Sequence, residues 1–349
     1  MSTSLSYTLA LVIALYCFQY TLLVAAAESS VIAEDDNVIV FLTRAEDVIG
    51  DEYERPVIGI VSHPGDGASG RLSNATNVSY IAASYVKFVE SGGARVIPLI
   101  FNEPEDILEQ KFKLINGLLF TGGWCKTGLY YQIVEKLFKL ALEENDNGDY
   151  FPVFGVCLGF ELISMILSKD QNILERFNAT KMPSTVQFVG NPTKESDMFK
   201  RFSPKLLNKL TTKRLIMQNH MFGLSPERIQ GNTELARFFK ILTTSTDESG
   251  KTYVSTVQGY NYPVTGFQWH PEKNAFEWGM ATIPHSEDAV RVTQNVASFF
   301  ISEARKSSRR RSEKEVLAEL IYNYSPTYCG YAGKGYDEVY LFLEPSGLP

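Results

Sequence analysis

Two short stretches hold residues whose types and spacing suit nucleophilic catalysis. In Phe154-Gly155-Val156-Cys157-Leu158-Gly159-Phe160 an apolar run meets a turn, and a helical pattern begins at once. A strand–nucleophile–helix turn of this kind exposes its central side chain at the end of a sheet, here with the spacing G-x-C-x-G. The two glycines let chain segments pass close to a strained nucleophile. The new helix turns its N-terminus toward the sulfur, which favours thiolate. The backbone N–H of Leu158 would point at a developing oxyanion. The same seven residues also fit a core cysteine between packing glycines. A nucleophilic cysteine needs a base, and the choices are His63, His220, His270 and His285. His270 stands in Phe267-Gln268-Trp269-His270-Pro271-Glu272, directly after an apolar strand pattern. In extended chain His270 and Glu272 point the same way, so the carboxylate can orient the imidazole. A bland His-Pro turn is the competing reading. His63 and His285 are read as structural.

These residues need a sheet beneath them. Apolar strand runs are expected at 56–61, 95–99, 116–120 and 152–156. Helical patterns fall at 80–91, 106–114, 129–144 and 158–167. Strands alternating with helices predict an α/β fold, with a mostly parallel central sheet covered by helices on both faces. The C-terminal half is strand-rich, with runs at 215–217, 241–244, 253–258 and 264–268 before a closing helix over 288–305. Arg305–Arg311 holds five basic residues in seven, the pattern of a solvated linker. A short helix is expected over 316–324.

Of the 349 residues, 44% are hydrophobic and 21% charged, the balance of a folded globular protein. A formal net charge of −7 counts against wrapping nucleic acid, which needs a basic face. Met1–Ala27 contains no Asp, Glu, Lys, Arg or His, and its apolar run ends in Ala25-Ala26-Ala27. That is the pattern of a secretory signal peptide cut near Ala27, leaving no membrane span. The rival is an uncleaved anchor helix. Asn74, Asn77, Asn178 and Asn323 open N-x-[ST] sequons, consistent with a lumenal route and glycosylation. Past the leader three cysteines remain, Cys125, Cys157 and Cys329. An odd number bound for an oxidising compartment points to one free thiol. Cys125 and Cys329 are the pair that would leave Cys157 free. The chain therefore divides into a signal peptide (1–27), an acidic lead-in (28–54), a catalytic domain (55–305) and a basic linker with a C-terminal extension (306–349).

Together with Thr121-Gly122-Gly123, the cysteine elbow and His-Pro-Glu resemble class I glutamine amidotransferase domains. Within that group the sequence is similar to the γ-glutamyl hydrolase family. The similarity rests on Ile81-Ala-Ala-Ser-Tyr-Val-Lys87, Gly93-Ala-Arg-Val96, Ile115-Asn-Gly117, Gly148-Asp-Tyr-Phe-Pro152, Cys157-Leu-Gly-Phe-Glu161 and Gln268-Trp-His-Pro-Glu-Lys273 with Glu277-Trp278. Amidotransferases usually carry Gln where Glu161 stands. The resemblance implies Cys157 as nucleophile, His270 as base and proton donor, and Glu272 as its acidic partner. It implies Gly123 and Leu158 as oxyanion-hole positions, and His220 and Glu161 near the substrate. It departs at Trp124-Cys125-Lys126, in the loop 62–73 and after Arg305.

The activity so implied is hydrolysis of γ-glutamyl bonds in folylpoly-γ-glutamates through a thioester, with no cofactor and no metal. A glutaminase of the amidotransferase type and a non-catalytic folate-binding protein are the alternatives. Because that substrate is polyanionic and the chain acidic, basic residues are expected at the mouth of the site, with Arg71 and Lys126 as candidates. The family further implies a homodimer. Its route and chemistry imply a vacuole, lysosome or extracellular destination.

Overall fold

A computed structural model describes residues 53–67, 78–330 and 336–343. The segment read as a signal peptide, most of the acidic lead-in, Arg71, Asn74 and Asn77 lie outside the described residues. The strands begin β1 (Val57–Val61), β2 (His63–Pro64), β3 (Val78–Ala82), β4 (Arg95–Leu99), β5 (Gly117–Phe120), β6 (Val153–Val156) and β7 (Glu175–Ser184). They continue β8 (Gln187–Phe188), β9 (Ile216–Gly223), β10 (Phe239–Thr246), β11 (Thr252–Gly259), β12 (Val264–Phe267), β13 (Thr327–Tyr328) and β14 (Glu338–Leu343). The main helices are α1 (Ala83–Ser91), α2 (Glu105–Phe112), α3 (Gly128–Asp146), α4 (Leu158–Ser168) and α5 (Glu287–Arg305).

The central sheet has eight strands in the order β4-β1-β5-β6-β12-β11-β10-β8. The first five are parallel, and β11, β10 and β8 add on antiparallel. The strand-rich second half therefore extends the same sheet. Alternation along β1 shows how both faces are covered. Ile58 and Ile60 join a core with Tyr85, Val86 and Val89 of α1 and Val292, Val296 and Phe300 of α5. Val57 and Val61 join a second core with Leu108 of α2, Leu137 and Phe138 of α3 and Ile163 of α4. Side chains two apart along a strand share a face, so each strand feeds both cores. Phe154 stacks on Phe300 at 3.9 Å between centroids, pinning α5 to β6.

Two expectations are corrected. The helix expected from Tyr80 begins at Ala83. Residues 78–82 form β3, because Tyr80, Ile81 and their neighbours pair with β14 on one side and β2 on the other. The run at 215–217 is the start of β9, which pairs with β7 in a separate two-stranded ribbon. The described residues 306–330 and 336–343 pack onto the domain rather than trailing behind a solvated linker. Arg309 is largely buried, meets Glu144 and lies 2.8 Å from Asp149. The sheet β13-β14-β3-β2 then stitches the tail to the front of the domain. The short helix expected at 316–324 is present as Glu313–Glu319 followed by a 3-10 turn at Ile321–Asn323. Among the described residues no helix is long and apolar enough to cross a membrane.

Candidate active site

The parallel strands β1, β5, β6 and β12 deliver their C-terminal ends to one edge, where ligands collect in open α/β sheets. At the end of β6 the chain turns through Cys157 into α4. Cys157 has φ 51° and ψ −106°, a left-handed φ that costs a non-glycine residue on the order of 1–3 kcal/mol. The turn persists because its surroundings fix it. The Cys157 N–H donates to Phe267 O at 2.6 Å, and the Gly159 N–H donates to Thr121 O at 3.1 Å. A Cβ on Gly159 would sit 2.3 Å from Phe120 O, so only glycine lets α4 pass this close to β5.

β12 ends at Phe267, and the next five residues carry His270 and Glu272. The Thr293 hydroxyl donates to Pro271 O at 2.6 Å, tying this loop to α5. His270 Nδ1 is 2.8 Å from Glu272 Oε1. Burial holds the His270 pKa down despite the opposing pull of Glu272. Burial alone would raise Glu272, but the charge and hydrogen bond of His270 hold it below the usual carboxylate value. At rest the pair is thus neutral imidazole and carboxylate. The carboxylate accepts a hydrogen bond from the Nδ1–H, leaving a lone pair on Nε2, which has no hydrogen-bond partner among the described residues.

The two groups meet at the Gly-Gly turn. A Cβ on Gly122 would lie 2.8 Å from His270 Cε1 and 3.5 Å from Cys157 Cβ. The Gly122 N–H donates to the buried Tyr85 hydroxyl at 2.8 Å, and that hydroxyl is 3.4 Å from His270 Nδ1. Cys157, His270 and Gly123 all line one cavity of about 390 Å³.

Burial pushes the Cys157 thiol well above its usual value; Glu161 adds to this, and Lys126 and the Leu158 N–H oppose it. Burial and Glu161 thus oppose the pull of the helix N-terminus on the sulfur. A neutral thiol beside a neutral imidazole calls for proton transfer during attack rather than a standing ion pair.

Other expected residues stand behind the cavity wall. Lys126 Nζ is 2.8 Å from Glu161 Oε2, and the Gln268 amide donates to Glu161 Oε1 at 3.2 Å. Lys126 is therefore paired with Glu161, and its side chain is only partly exposed. His220 Nδ1 donates to Phe222 O at 2.8 Å, its ring meets Tyr253 edge-on at 4.7 Å, and burial lowers its pKa to about 3. Its neighbour Asn219 lines the cavity instead, with its carbonyl 3.9 Å from Cys157 Sγ.

The cation in the cavity wall is Lys273, which sequence reasoning missed as a site residue. It is 2% exposed, 4.0 Å from Glu272 Oε1, and lies 4.7 Å over the Tyr336 ring. Its place at the end of Trp-His-Pro-Glu-Lys was the available signal. Tyr336, also in the wall, arrives from the C-terminal tail, and no local signal pointed to it. The sequence left open whether Cys125 and Cys329 pair, and they do not. Neither is in a disulfide, and Cys329 is buried against Tyr80 and Val339. Asn178 and Asn323 are both exposed.

The family model for peptidase C26 matches residues 56–272, the stretch that supplies Cys157, His270 and Glu272. The chain is 63% identical over 294 residues to γ-glutamyl hydrolase 2 of Arabidopsis thaliana, covering 84% of this chain and 85% of that one. It is 38% identical over 298 residues to γ-glutamyl hydrolase of Homo sapiens, covering 84% and 91%. A solved glutamine amidotransferase of Thermotoga maritima aligns over 72% of this chain and 99% of its own, at 14% identity and TM-score 0.40. On the family match and these relatives, the chain belongs to the peptidase C26 family and is a cysteine-type hydrolase.

Proposed function

We propose that this protein hydrolyses γ-glutamyl bonds of folylpoly-γ-glutamates through a thioester on Cys157. The observation that carries the reading is the His270–Glu272 pair, 2.8 Å apart, with His270 lining the same cavity as Cys157. The relatives' names supply the substrate class. As Cys157 Sγ attacks the γ-carbonyl carbon, its proton passes to His270 Nε2. The N–H groups of Gly123 and Leu158 take the oxyanion, an interaction worth about 3 kcal/mol per donor in acyl transfer. Collapse breaks the C–N bond, and His270 returns the proton to the leaving amine. Water then attacks the thioester while His270 accepts its proton, and the acid and the Cys157 thiol are released.

Lys273 gives a net acidic protein a buried cation for a substrate carboxylate. Lys126 serves that substrate only indirectly, by neutralising Glu161. Arg71 remains a proposed contact outside the described residues. His220 supports the wall through Asn219. We assign the protein to the secretory route, with glycans on Asn74, Asn77, Asn178 and Asn323, and a vacuolar, lysosomal or extracellular destination. A homodimer is the proposed assembly. The deciding assay incubates wild type and Cys157→Ala with pteroyl-polyglutamate and sizes the products. Cleavage by the variant at the wild-type rate sinks the proposal.

A further inference from the structure

The structure assigns His63 as a positioning residue for the oxyanion hole, holding the Gly123 loop through two hydrogen bonds accepted by a single ring nitrogen. His63 is fully buried at the end of β1, on β2, where it pairs with Tyr80 of β3. Its Nδ1 is 2.7 Å from Pro64 O, and a carbonyl only accepts, so Nδ1 carries the proton. In the neutral ring Nε2 is then an acceptor. Two backbone donors converge on it, Trp124 N at 3.0 Å and Cys125 N at 3.1 Å. The rings of Tyr80, Trp124 and Tyr130 enclose the imidazole at centroid distances of 5.4, 5.3 and 5.0 Å.

The contact is tight enough to dictate sequence. A Cβ on Gly123 would fall 2.3 Å from His63 Cδ2 and 2.4 Å from Nε2. Gly123 is therefore a glycine so that its loop can lie against this ring. The peptide planes explain the consequence. The Gly122 N–H is fixed by the Tyr85 hydroxyl, and the Trp124 N–H by His63 Nε2. Between those two fixed planes lies the peptide that carries the Gly123 N–H, one of the two proposed oxyanion donors. With the planes on both sides held by hydrogen bonds, the loop keeps this amide's two Cα atoms in place beside Cys157, and such preorganisation is what gives a donor its catalytic value.

The titratable and charged groups around the ring are Tyr80 on β3 with Asp66 near it, Tyr130 on α3, and Cys125 and Lys126 on the loop itself. Burial lowers the His63 pKa to about 4, so the acceptor lone pair is present in mildly acid as well as neutral solution. Protonation would set a third donor against the two N–H groups and release the loop.

This inference rests on the acyl-transfer reading of Cys157, and the test separates the two. Wild type, His63→Phe and His63→Gln are assayed for kcat and KM on pteroyl-polyglutamate. Alkylation of Cys157 by iodoacetamide is followed by peptide mapping. Displacement of iodide by the thiol develops no oxyanion. His63→Phe should lose kcat by about 100-fold, the scale of one oxyanion donor, with KM and Cys157 alkylation within about threefold of wild type. His63→Gln, whose amide oxygen accepts, should recover at least about tenfold of the loss. Wild-type kcat in His63→Phe, an equal loss of alkylation, or no recovery in His63→Gln overturns the inference. If His63→Phe does not fold, His63→Gln must exceed the shorter His63→Asn in kcat by about tenfold, and equality overturns it. An inactive wild type refutes the hydrolase reading instead.

Discussion

His270 Nδ1 and Glu272 Oε1 stand 2.8 Å apart with both side chains buried, so the imidazole is held in one tautomer by a carboxylate two residues away. Glu272→Gln removes the charge that stabilises the imidazolium during attack and permits the wrong tautomer. We expect kcat to fall by about 100-fold with KM little changed. Steady-state kinetics check this. A loss below about threefold would reduce Glu272 to a packing residue.

Glu161 acts on the same thiol from behind. Its charge adds to the burial that raises the Cys157 pKa. Glu161→Gln keeps the shape and removes the charge, so the thiol pKa should drop. Alkylation of Cys157 at pH 8 should accelerate by about fivefold, since thiolate is the reactive form. An unchanged or slower rate would count against the electrostatic link.

Lys273 is the buried cation of the cavity wall. Lys273→Met retains the length and apolar stem but not the ammonium. KM for a polyglutamate should rise by about 30-fold, the scale of one charge-assisted hydrogen bond, and kcat should change less. The salt dependence of KM should flatten in the variant. A KM that does not move would place the carboxylate contact elsewhere.

Phe342 on β14 is 3% exposed and meets Tyr324 edge-on at 4.9 Å. Phe342→Ala should cost about 3–5 kcal/mol by cavity formation. Because β14 pairs with β3 and Tyr336 lies just before it, activity should fall together with stability. Urea denaturation beside the activity assay measures both. A stable, inactive variant would contradict the packing argument.

Stability should fall with pH on the acid side. His63 is lowered from 6.5 to about 4 and His220 from 6.5 to about 3, both by burial. Above pH 6.5 both groups are neutral whether folded or unfolded, and stability is full. As pH falls below 6.5 the unfolded chain takes up protons first, and stability is lost until the folded groups protonate. His63 alone should cost on the order of 3 kcal/mol across its window. Denaturant midpoints measured from pH 7 to pH 4 should decline in wild type and decline less steeply in His63→Phe. Equal slopes would show that other groups control the acid limb.

Much of this molecule was legible in its sequence, for physical reasons visible in particular residues. β1, β5 and β6 are unbroken apolar runs buried on both faces, and β4 is one after Arg95, a strong local pattern. Cys157 and His270 were readable because elbow and base each follow such a strand. The ribbon of β7 and β9 was only partly readable. β7 contains Pro183, a positive φ at Lys181 and two register shifts, so its alternation is broken. Which of Lys126 and Lys273 faces the cavity was not a local question. It depends on Glu161 lying beneath one and Tyr336 above the other. His63 looked like a lone histidine because both its loop partners lie about sixty residues away.

β14 has a consequence for the order of assembly. Its partner β3 lies some 260 residues earlier, and Glu338–Leu343 is synthesised after every other strand described. The central sheet can form while the chain is still emerging, since domains organise from the N-terminal side during synthesis. The wall containing Tyr336 cannot. Until β14 docks, one edge of β3 lacks its partner and the cavity over Cys157 has no lid on that side. Closing so long a loop is slow compared with local folding. The protein thus acquires its nucleophile early and its pocket wall only after β14 has been made.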